Sequence, residues 1–139
     1  MNEPQTAIEE LAARSLGLDR FADPDPHVTF RWGPSTNRNL TVHSRVLDCY
    51  ADGRWVCTVD IENVSRHSNW DIGGDVVWKY DTGHTIAESY FRMFNTSINN
   101  GTRRTYTEIG RSDWIESNFD IFFRPDISAW SGWAAHRNN

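Results

Sequence analysis

The chain has 139 residues, a length typical of a single domain that can bury a core without disulfides or metal ions. Its formal net charge of -5 repels phosphate backbones and anionic lipid, so nucleic acid and membrane surfaces are not expected partners. No apolar run approaches the ~18 residues that a membrane span needs. The first residues lack the pattern of a signal peptide, and we therefore expect a cytoplasmic protein.

The N-terminal region, residues 1–26, is predicted to contain one short helix followed by a linker. A helix over Thr6–Leu16 begins with a capping-box pattern and ends before Gly17. One face of this helix carries Ile8, Leu11, Ala12 and either Ser15 or Leu16. The stretch 21–26 contains two prolines and cannot continue the helix, because each proline lacks a backbone donor.

From residue 27 to residue 139, alternating apolar and polar positions are separated by turn residues at intervals of roughly 8–12 residues. This spacing is typical of an antiparallel sandwich or barrel and not of a fold in which strands alternate with helices. We therefore predict an all-β domain over 27–139 with about 7–8 strands, and both the barrel and the sandwich stay open as alternatives.

The clearest predicted unit is a hairpin between Leu40–Tyr50 and Trp55–Asn63, joined by a two-residue turn at positions 52 and 53. That turn would set four pairs opposite one another: Tyr50 with Trp55, Val46 with Val59, Arg45 with Asp60, and His43 with Glu62. The same register would point Cys49 and Cys57 to opposite faces of the sheet. We therefore expect two free thiols and no disulfide.

Two further hairpins are predicted downstream, because each has two alternating segments around a turn signal. The first pairs Asp71–Tyr80 with Thr85–Phe94, and the second pairs Thr102–Ile109 with Trp114–Phe123. The tail, Ile127–Trp133, is predicted as a final strand or as a helical turn.

Sequence motifs for metals and cofactors are missing. There is no Cys-x-x-Cys or His-x-x-x-His spacing for zinc, and the glycine pair Gly73-Gly74 opens a strand and not a phosphate-binding helix. We therefore expect neither a metal site nor a cofactor.

The segment Ile86–Phe94 holds the candidate catalytic residues, Glu88 and Tyr90. If the face of Glu88, Tyr90 and Arg92 points inward, it forms an aromatic cavity with one acid. In the alternative, the face with Phe91 and Met93 is core, and Glu88 and Arg92 form an exposed ion pair of little energetic value. Glu108 is a second carboxylate with the same ambiguity.

The composition also suggests a pocket, because 13% of the residues are aromatic while only 38% are hydrophobic. Aromatic walls with a few polar groups are typical of ligand pockets, although the same residues also anchor subunit interfaces. The candidate ligand-binding residues are Trp55, Trp78, Phe91, Arg92, Met93 and Tyr106.

Three short motifs carry a resemblance to known proteins: Phe30-Arg31-Trp32-Gly33, Asp52-Gly53-Arg54-Trp55 and Asp81-Thr82-Gly83. In these motifs the chain resembles small β-rich proteins of actinobacteria that have no assigned function. In size, acidity and aromatic content it is similar to the small β-barrel cyclases of polyketide pathways. That second resemblance implies cyclisation or isomerisation without a cofactor, and it assigns no catalytic residue.

Two functions follow as hypotheses. In the first, a β-barrel binds a bulky apolar small molecule in its aromatic interior and acts as a cofactor-independent cyclase or isomerase of natural-product biosynthesis. In the second, an immunoglobulin-like sandwich binds a protein partner, such as a toxin, or assembles with further copies of itself without catalysis.

Overall fold

The computed structural model of the chain describes residues 25–86 and 91–138. These residues are mostly β-strand, and all strand pairs are antiparallel. The strands are β1 (His27–Trp32), β2 (Ser35–Asn37), β3 (Leu40–Tyr50), β4 (Arg54–Asn63), β5 (Trp70–Tyr80), β6 (Phe91–Ile98), β7 (Arg103–Arg111) and β8 (Ile127–Arg137). Between β7 and β8 lie α1 (Asp113–Asn118) and a 3₁₀ helix (Phe119–Phe123).

The strands form two sheets. The larger sheet has the order β1-β3-β4-β7, with β2 also paired to β3, and the smaller sheet has the order β6-β5-β8. The predicted antiparallel, mostly β domain is therefore confirmed. The predicted N-terminal helix over Thr6–Leu16 lies outside the described residues.

The hairpin of β3 and β4 forms where the sequence predicts it, but its register differs by one residue at the turn. Three residues, 51–53, form the loop, and Gly53 adopts φ +94. The amide of Gly53 donates to Tyr50 O at 2.9 Å, and the third loop residue shifts the pairing relative to a two-residue turn. Cys49 therefore pairs with Trp55, and Leu47 pairs with Cys57.

The shifted register moves several side chains to faces that we did not expect. Arg45 pairs with Val59 and is only 6% exposed, while Asp60 instead accepts hydrogen bonds from Arg103. The predicted contact between His43 and Glu62 is confirmed at 2.8 Å, although His43 lies in a bulge and the residue directly opposite Glu62 is Thr41.

Cys49 and Cys57 are both buried in the same core, so the prediction of opposite faces is wrong. The prediction of free thiols is confirmed.

The predicted second hairpin is confirmed in the pairing of β5 with β6, although β6 runs over Phe91–Ile98 and not over Thr85–Phe94. The predicted third hairpin is wrong. Trp114–Phe123 is helical, and β7 pairs with β4. The hydroxyl of Ser112 accepts a hydrogen bond from the amide of Ile115 and caps the helix, and Asp113 places an acid in the first turn. The tail is β8, the strand alternative of the prediction, and it pairs with β5 along its length.

Aromatic rings fill the space between the inward faces of the two sheets. Trp78 of β5 is fully buried, and its ring lies 5.8 Å from that of Phe30 in the larger sheet. The rings of Trp114 and Phe122, from the helical segment, lie 5.2 and 5.0 Å from it. The helical segment therefore closes one end of the core with two further rings.

Both outer edges of the smaller sheet are joined to the larger sheet through side chains. On the β6 edge, Arg104 donates to Ser97 O at 2.6 Å, and the hydroxyl of Tyr106 lies 3.3 Å from Asn95 O. On the β8 edge, the indole of Trp32 donates to Ala129 O at 3.2 Å. Ser97 O and Ala129 O, which lie on sheet edges, thereby accept hydrogen bonds from side chains of the larger sheet.

Within the described residues, the one α-helix has six residues, far fewer than the ~20 that cross a bilayer.

Candidate functional site

Trp55 of β4 is the shared wall of two neighbouring cavities. Its ring is half-buried, lies 5.6 Å from that of Phe91, and packs directly on Gly110 of β7. A Cβ atom at Gly110 would come within 2.5 Å of the indole, so only glycine permits this packing. Trp55 is thus held between the end of the larger sheet and the first residue of β6.

The first cavity, here called the Glu108 cavity, opens between β6 of the smaller sheet and the β4–β7 pair of the larger sheet. Its volume is about 230 Å³. The lining residues are Trp55, Arg92, Met93, Phe94, Asn95 and Glu108. Its walls therefore combine three apolar side chains with a carboxylate, a guanidinium and an amide.

A hydrogen bond orients the acid of the Glu108 cavity. The hydroxyl of Tyr106 donates to Glu108 Oε1 at 2.5 Å. Because only the protonated phenol can donate this hydrogen bond to Glu108, the bond raises the pKa of Tyr106 above its ordinary value. The hydroxyl hydrogen of Tyr106 is therefore occupied, whereas the carboxylate of Glu108 can still accept hydrogen bonds from a ligand.

The thiol nearest to this acid is not a nucleophile. Burial, together with the charge of Glu108, raises the pKa of Cys57 to about 12, and the guanidinium of Arg45 only partly opposes this. Burial likewise raises the pKa of Cys49 well above its ordinary value. Both thiols are therefore protonated and unreactive near neutral pH.

The second cavity, here called the Ile109 cavity, lies at the end of β4 and β7 and is larger, about 440 Å³. The lining residues are Tyr50, Arg54, Trp55, Val56, Ile109, Gly110 and Arg111. Val56 and Ile109 are paired across the two strands, and Ile109 is 69% exposed. The two arginines at its rim have carboxylate partners, Arg54 with Asp52 and Arg111 with Glu116.

The predicted ligand-binding residues come together around Trp55, with one exception. Phe91 links Trp55 to Trp78, since its ring lies 5.7 Å from that of Trp78. Arg92 and Met93 line the Glu108 cavity, and Tyr106 orients its acid. Trp78 is the exception, because it lies inside the core and reaches the cavity only through Phe91.

A bulge decides which face of β6 points inward. Opposite Gly74 and Asp75 the register shifts, so that Met93 and Phe94 are both buried while Arg92 is exposed and lies 3.4 Å from Asp75. The alternative with Phe91 and Met93 in the core therefore holds for Met93, whereas Phe91 is only partly buried and Phe94, from the opposite face, is fully buried. The candidate catalytic residues, Glu88 and Tyr90, lie outside the described residues.

Sequence reasoning missed the Ile109 cavity. The only signal for it is that Val56 and Ile109 are apolar at outward positions of paired strands, and Gly110 follows as the small residue that Trp55 needs. In residues 25–86 and 91–138, no group of three or more His, Cys, Asp or Glu side chains is placed to hold a metal ion.

No protein-family model matches the chain, and no curated protein matches it. Among solved structures, the chain is similar to the RGD-containing host-selective toxin Ptr ToxA of Pyrenophora tritici-repentis. The two are 19% identical over 83% of this chain and 85% of the toxin chain, with a TM-score of 0.31. A TM-score this low does not establish a shared fold.

Proposed function

We propose that this protein binds a small apolar molecule with one polar group in the Glu108 cavity. The observation that carries the proposal is the convergence of Trp55, Met93 and Glu108, from three strands of two sheets, around one opening. Ligand sites typically combine apolar walls with a small number of polar groups that orient the ligand, and here Glu108, Arg92 and Asn95 are those polar groups.

The chemistry of the walls limits the ligand. The volume of about 230 Å³ is below the usual range for drug-sized ligands, so a single ring fits better than the bulky ligand of the first hypothesis. Glu108 supplies an acceptor for a hydroxyl or amine hydrogen, while Trp55 and Met93 supply the apolar contact. A phenol has both features.

We further propose that the two sheets form a sandwich and not a closed barrel. The rings around Trp78 occupy the interior, and side chains such as Tyr106 and Trp32 join the sheet edges in place of a backbone ladder. The ligand would then sit at the seam between the sheets and not in a central lumen. The cyclase or isomerase hypothesis depends on Glu88 and Tyr90 and is a separate proposal.

The test is a titration of the ¹⁵N-labelled protein with 4-methylphenol, with toluene as the matched probe that lacks the hydroxyl. We expect saturable shifts at Met93, Asn95 and Glu108 with 4-methylphenol and weaker binding of toluene. Glu108→Gln should lower the affinity for 4-methylphenol by about tenfold, because a hydrogen bond to a charged acceptor is replaced by a neutral one.

Trp55→Leu should also weaken binding, whereas Trp130→Leu should not, because Trp130 is 53% exposed on the outward face of β8 and does not line the cavity. The proposal fails if neither probe gives saturable shifts around the cavity, or if Trp55→Leu and Trp130→Leu bind equally well.

A partner-binding or self-assembling module is the second candidate. The observation in its favour is that Val64 and Trp130 are large apolar side chains exposed by 59% and 53%. Sedimentation over a wide concentration range tests it: Trp130→Ser should lower the association constant of any oligomer. A monomer at all concentrations would remove self-assembly.

A further inference from the structure

A further cavity, here called the Asp71 cavity, lies on the outer face of the smaller sheet. Its volume is about 220 Å³. The central strand β5 supplies Asp71, Gly73 and Asp75, which alternate with buried residues of the strand and therefore face away from the core. The flanking strands supply Arg92 and His136. Carboxylates and a guanidinium thus meet on the wall of one small cavity.

The pairing of the three strands leaves the middle of this outer face low. Gly73 of β5 lies opposite Asn95 of β6 and Ala134 of β8. Gly73 has no side chain and Ala134 has only a methyl group, whereas Asp71 and Asp75 stand two residues away on either side of Gly73. Outward residues two positions apart on a strand are separated by about 7 Å. The floor of the cavity is therefore a depression with a carboxylate at each end.

The guanidinium of Arg92 lies over this floor. Its Nε is 3.4 Å from Asp75 Oδ1, and its Nη1 would be 3.2 Å from a Cβ atom built on Gly73. Because the ion pair with Asp75 is made at Nε, the two terminal nitrogens remain able to donate hydrogen bonds to a carboxylate in the depression. Asp75 thereby holds a cationic group at one end of the cavity.

The opposite end of the cavity is anionic. Asp71 Oδ1 accepts a hydrogen bond from Asn138 Nδ2 at 2.6 Å, while Asp71 Oδ2 is 3.6 Å from His136 Nε2, which is beyond hydrogen-bond length. Oδ2 therefore keeps its capacity to accept a hydrogen bond from a ligand.

The charges of the wall limit the class of ligand. Two carboxylates and one guanidinium sum to one negative charge when histidine is counted as neutral, so a plain anion is repelled. A plain cation would match Asp71 but would leave the terminal nitrogens of Arg92 without an acceptor. A molecule that carries both charges matches both ends.

We propose that the Asp71 cavity binds a small zwitterion of the α-amino acid class. The carboxylate of the ligand accepts hydrogen bonds from Arg92, and its ammonium group donates to Asp71. The low floor at Gly73 and Ala134 leaves space for a short side chain. The volume of about 220 Å³ lies below the range of drug-sized ligands and suits a molecule of this size.

This inference goes beyond the function proposed for the Glu108 cavity. Arg92 and Asn95 line both cavities, whereas Asp71, Gly73 and His136 line only the Asp71 cavity. Asp71→Asn should therefore leave the titration with 4-methylphenol unchanged, and the failure of one proposal does not decide the other.

The test is a titration of the ¹⁵N-labelled full chain at neutral pH with L-alanine, with two matched probes that each carry one charge. Ethylamine lacks the carboxylate of L-alanine, and propionate lacks its ammonium group. We expect saturable shifts at the amides of Gly73, Ala134 and His136 with L-alanine, and at least about tenfold weaker binding of either matched probe. Ethylamine or propionate binding as tightly as L-alanine would overturn the proposal, and so would a titration without saturation.

A charge variant tests the anionic end. Asp71→Asn keeps the shape of the side chain and should weaken L-alanine binding by about tenfold, because the ammonium group loses a charged acceptor. The matched control is Asp81→Asn, since Asp81 is exposed in the turn after β5 and does not line the cavity. Equal affinities of the two variants for L-alanine would contradict the proposal.

A pair of glycine variants tests the floor without changing a charge. Gly73→Ala places a methyl group against Arg92 Nη1 and should weaken L-alanine binding, because the guanidinium must move. Gly132→Ala makes the same change on the same face, in open space and outside the cavity wall, and should leave the affinity unchanged. Unaltered binding in Gly73→Ala would overturn the placement of the ligand on this floor.

Discussion

The protein contains two kinds of tryptophan environment, and the difference between them separates core from site. Trp78 has rings on several sides and no exposed surface, whereas Trp55 has a ring on one side, a glycine on another and two cavities beside it. The same residue type therefore fills space in one region and bounds open space in the other. Aromatic content alone does not distinguish the two uses, but the neighbours of each ring do.

The largest expected effect contrasts the two rings directly. Trp78→Ala should lower the free energy of unfolding by about 3–5 kcal/mol, because it leaves a large void among four aromatic rings. Trp55→Ala should lower it by only about 1–2 kcal/mol, since its ring is half-buried. Chemical denaturation monitored by circular dichroism measures both. Equal losses would show that Trp55 is a core residue and would weaken the case for a site.

The next contrast uses glycines. Gly110→Ala should destabilise the fold by about 1–3 kcal/mol, because the new Cβ would overlap the indole of Trp55. Gly132→Ala in β8 should instead stabilise it by about 0.4–1 kcal/mol, because open space surrounds that position and alanine restricts the unfolded chain. Denaturation midpoints of the two variants check the opposite signs. A neutral Gly110→Ala would mean that the Trp55 ring can move aside.

A smaller effect is expected at the seam between the sheets. Tyr106→Phe removes the hydroxyl that contacts Glu108 and Asn95, and it should cost about 1 kcal/mol of unfolding free energy. Hydrogen exchange should rise in β6 and β7 more than around Trp78. Uniformly faster exchange across the domain would show that the seam is not a local feature.

The smallest effect concerns an exposed ion pair. Hydrogen bonds from Arg103 lower the pKa of Asp60 below its ordinary value of 3.8. A lowered pKa means that the folded state favours the charged carboxylate of Asp60. The ion pair therefore adds to the free energy of unfolding at neutral pH, and this addition is lost as the pH falls through the lowered pKa. Asp60→Asn should cost less than about 1 kcal/mol at neutral pH. Urea denaturation at several acidic pH values measures how steeply the free energy of unfolding falls with pH. Arg103→Gln should make this fall less steep, and an unchanged pH dependence would contradict the assignment.

The sequence predicts the class of fold because alternation and turn residues are local signals. The β3–β4 hairpin and the β5–β6 hairpin are both where their turns place them. The register of the β3–β4 hairpin is not a local signal in the same way, because it depends on whether Ala51 belongs to the strand or to the loop. The resulting shift of one residue places Arg45 opposite Val59 in the core and not opposite Asp60.

The helical segment 113–123 shows a second limit. Its run of Trp, Ile and Phe resembles a strand, but the cap at Ser112 and the first-turn acid at Asp113 favour a helix. Packing of Trp114 and Phe122 around Trp78 adds tertiary support that no local pattern reveals.

The candidate site was accessible to sequence reasoning only in part. Aromatic and polar side chains of β6 were recognised as unusual from the sequence. Their proximity to Glu108 arises from the packing of two sheets, because 12 to 15 residues separate Arg92, Met93, Phe94 and Asn95 from Glu108 along the chain. The Ile109 cavity depends on an unremarkable Val-Ile pair, which becomes informative only once its exposure is known.

The side-chain closure of the smaller sheet also bears on solubility. An unpaired strand edge offers its carbonyls as a template for a strand of another molecule, and such edges start aggregation and strand exchange. In this protein, Ser97 O and Ala129 O accept hydrogen bonds from Arg104 and Trp32, and the ring of Tyr106 lies beside Asn95 O. A strand from another molecule would have to displace these donors before it could add to the smaller sheet. The side chains of the larger sheet therefore protect both edges of the smaller sheet against fibre formation.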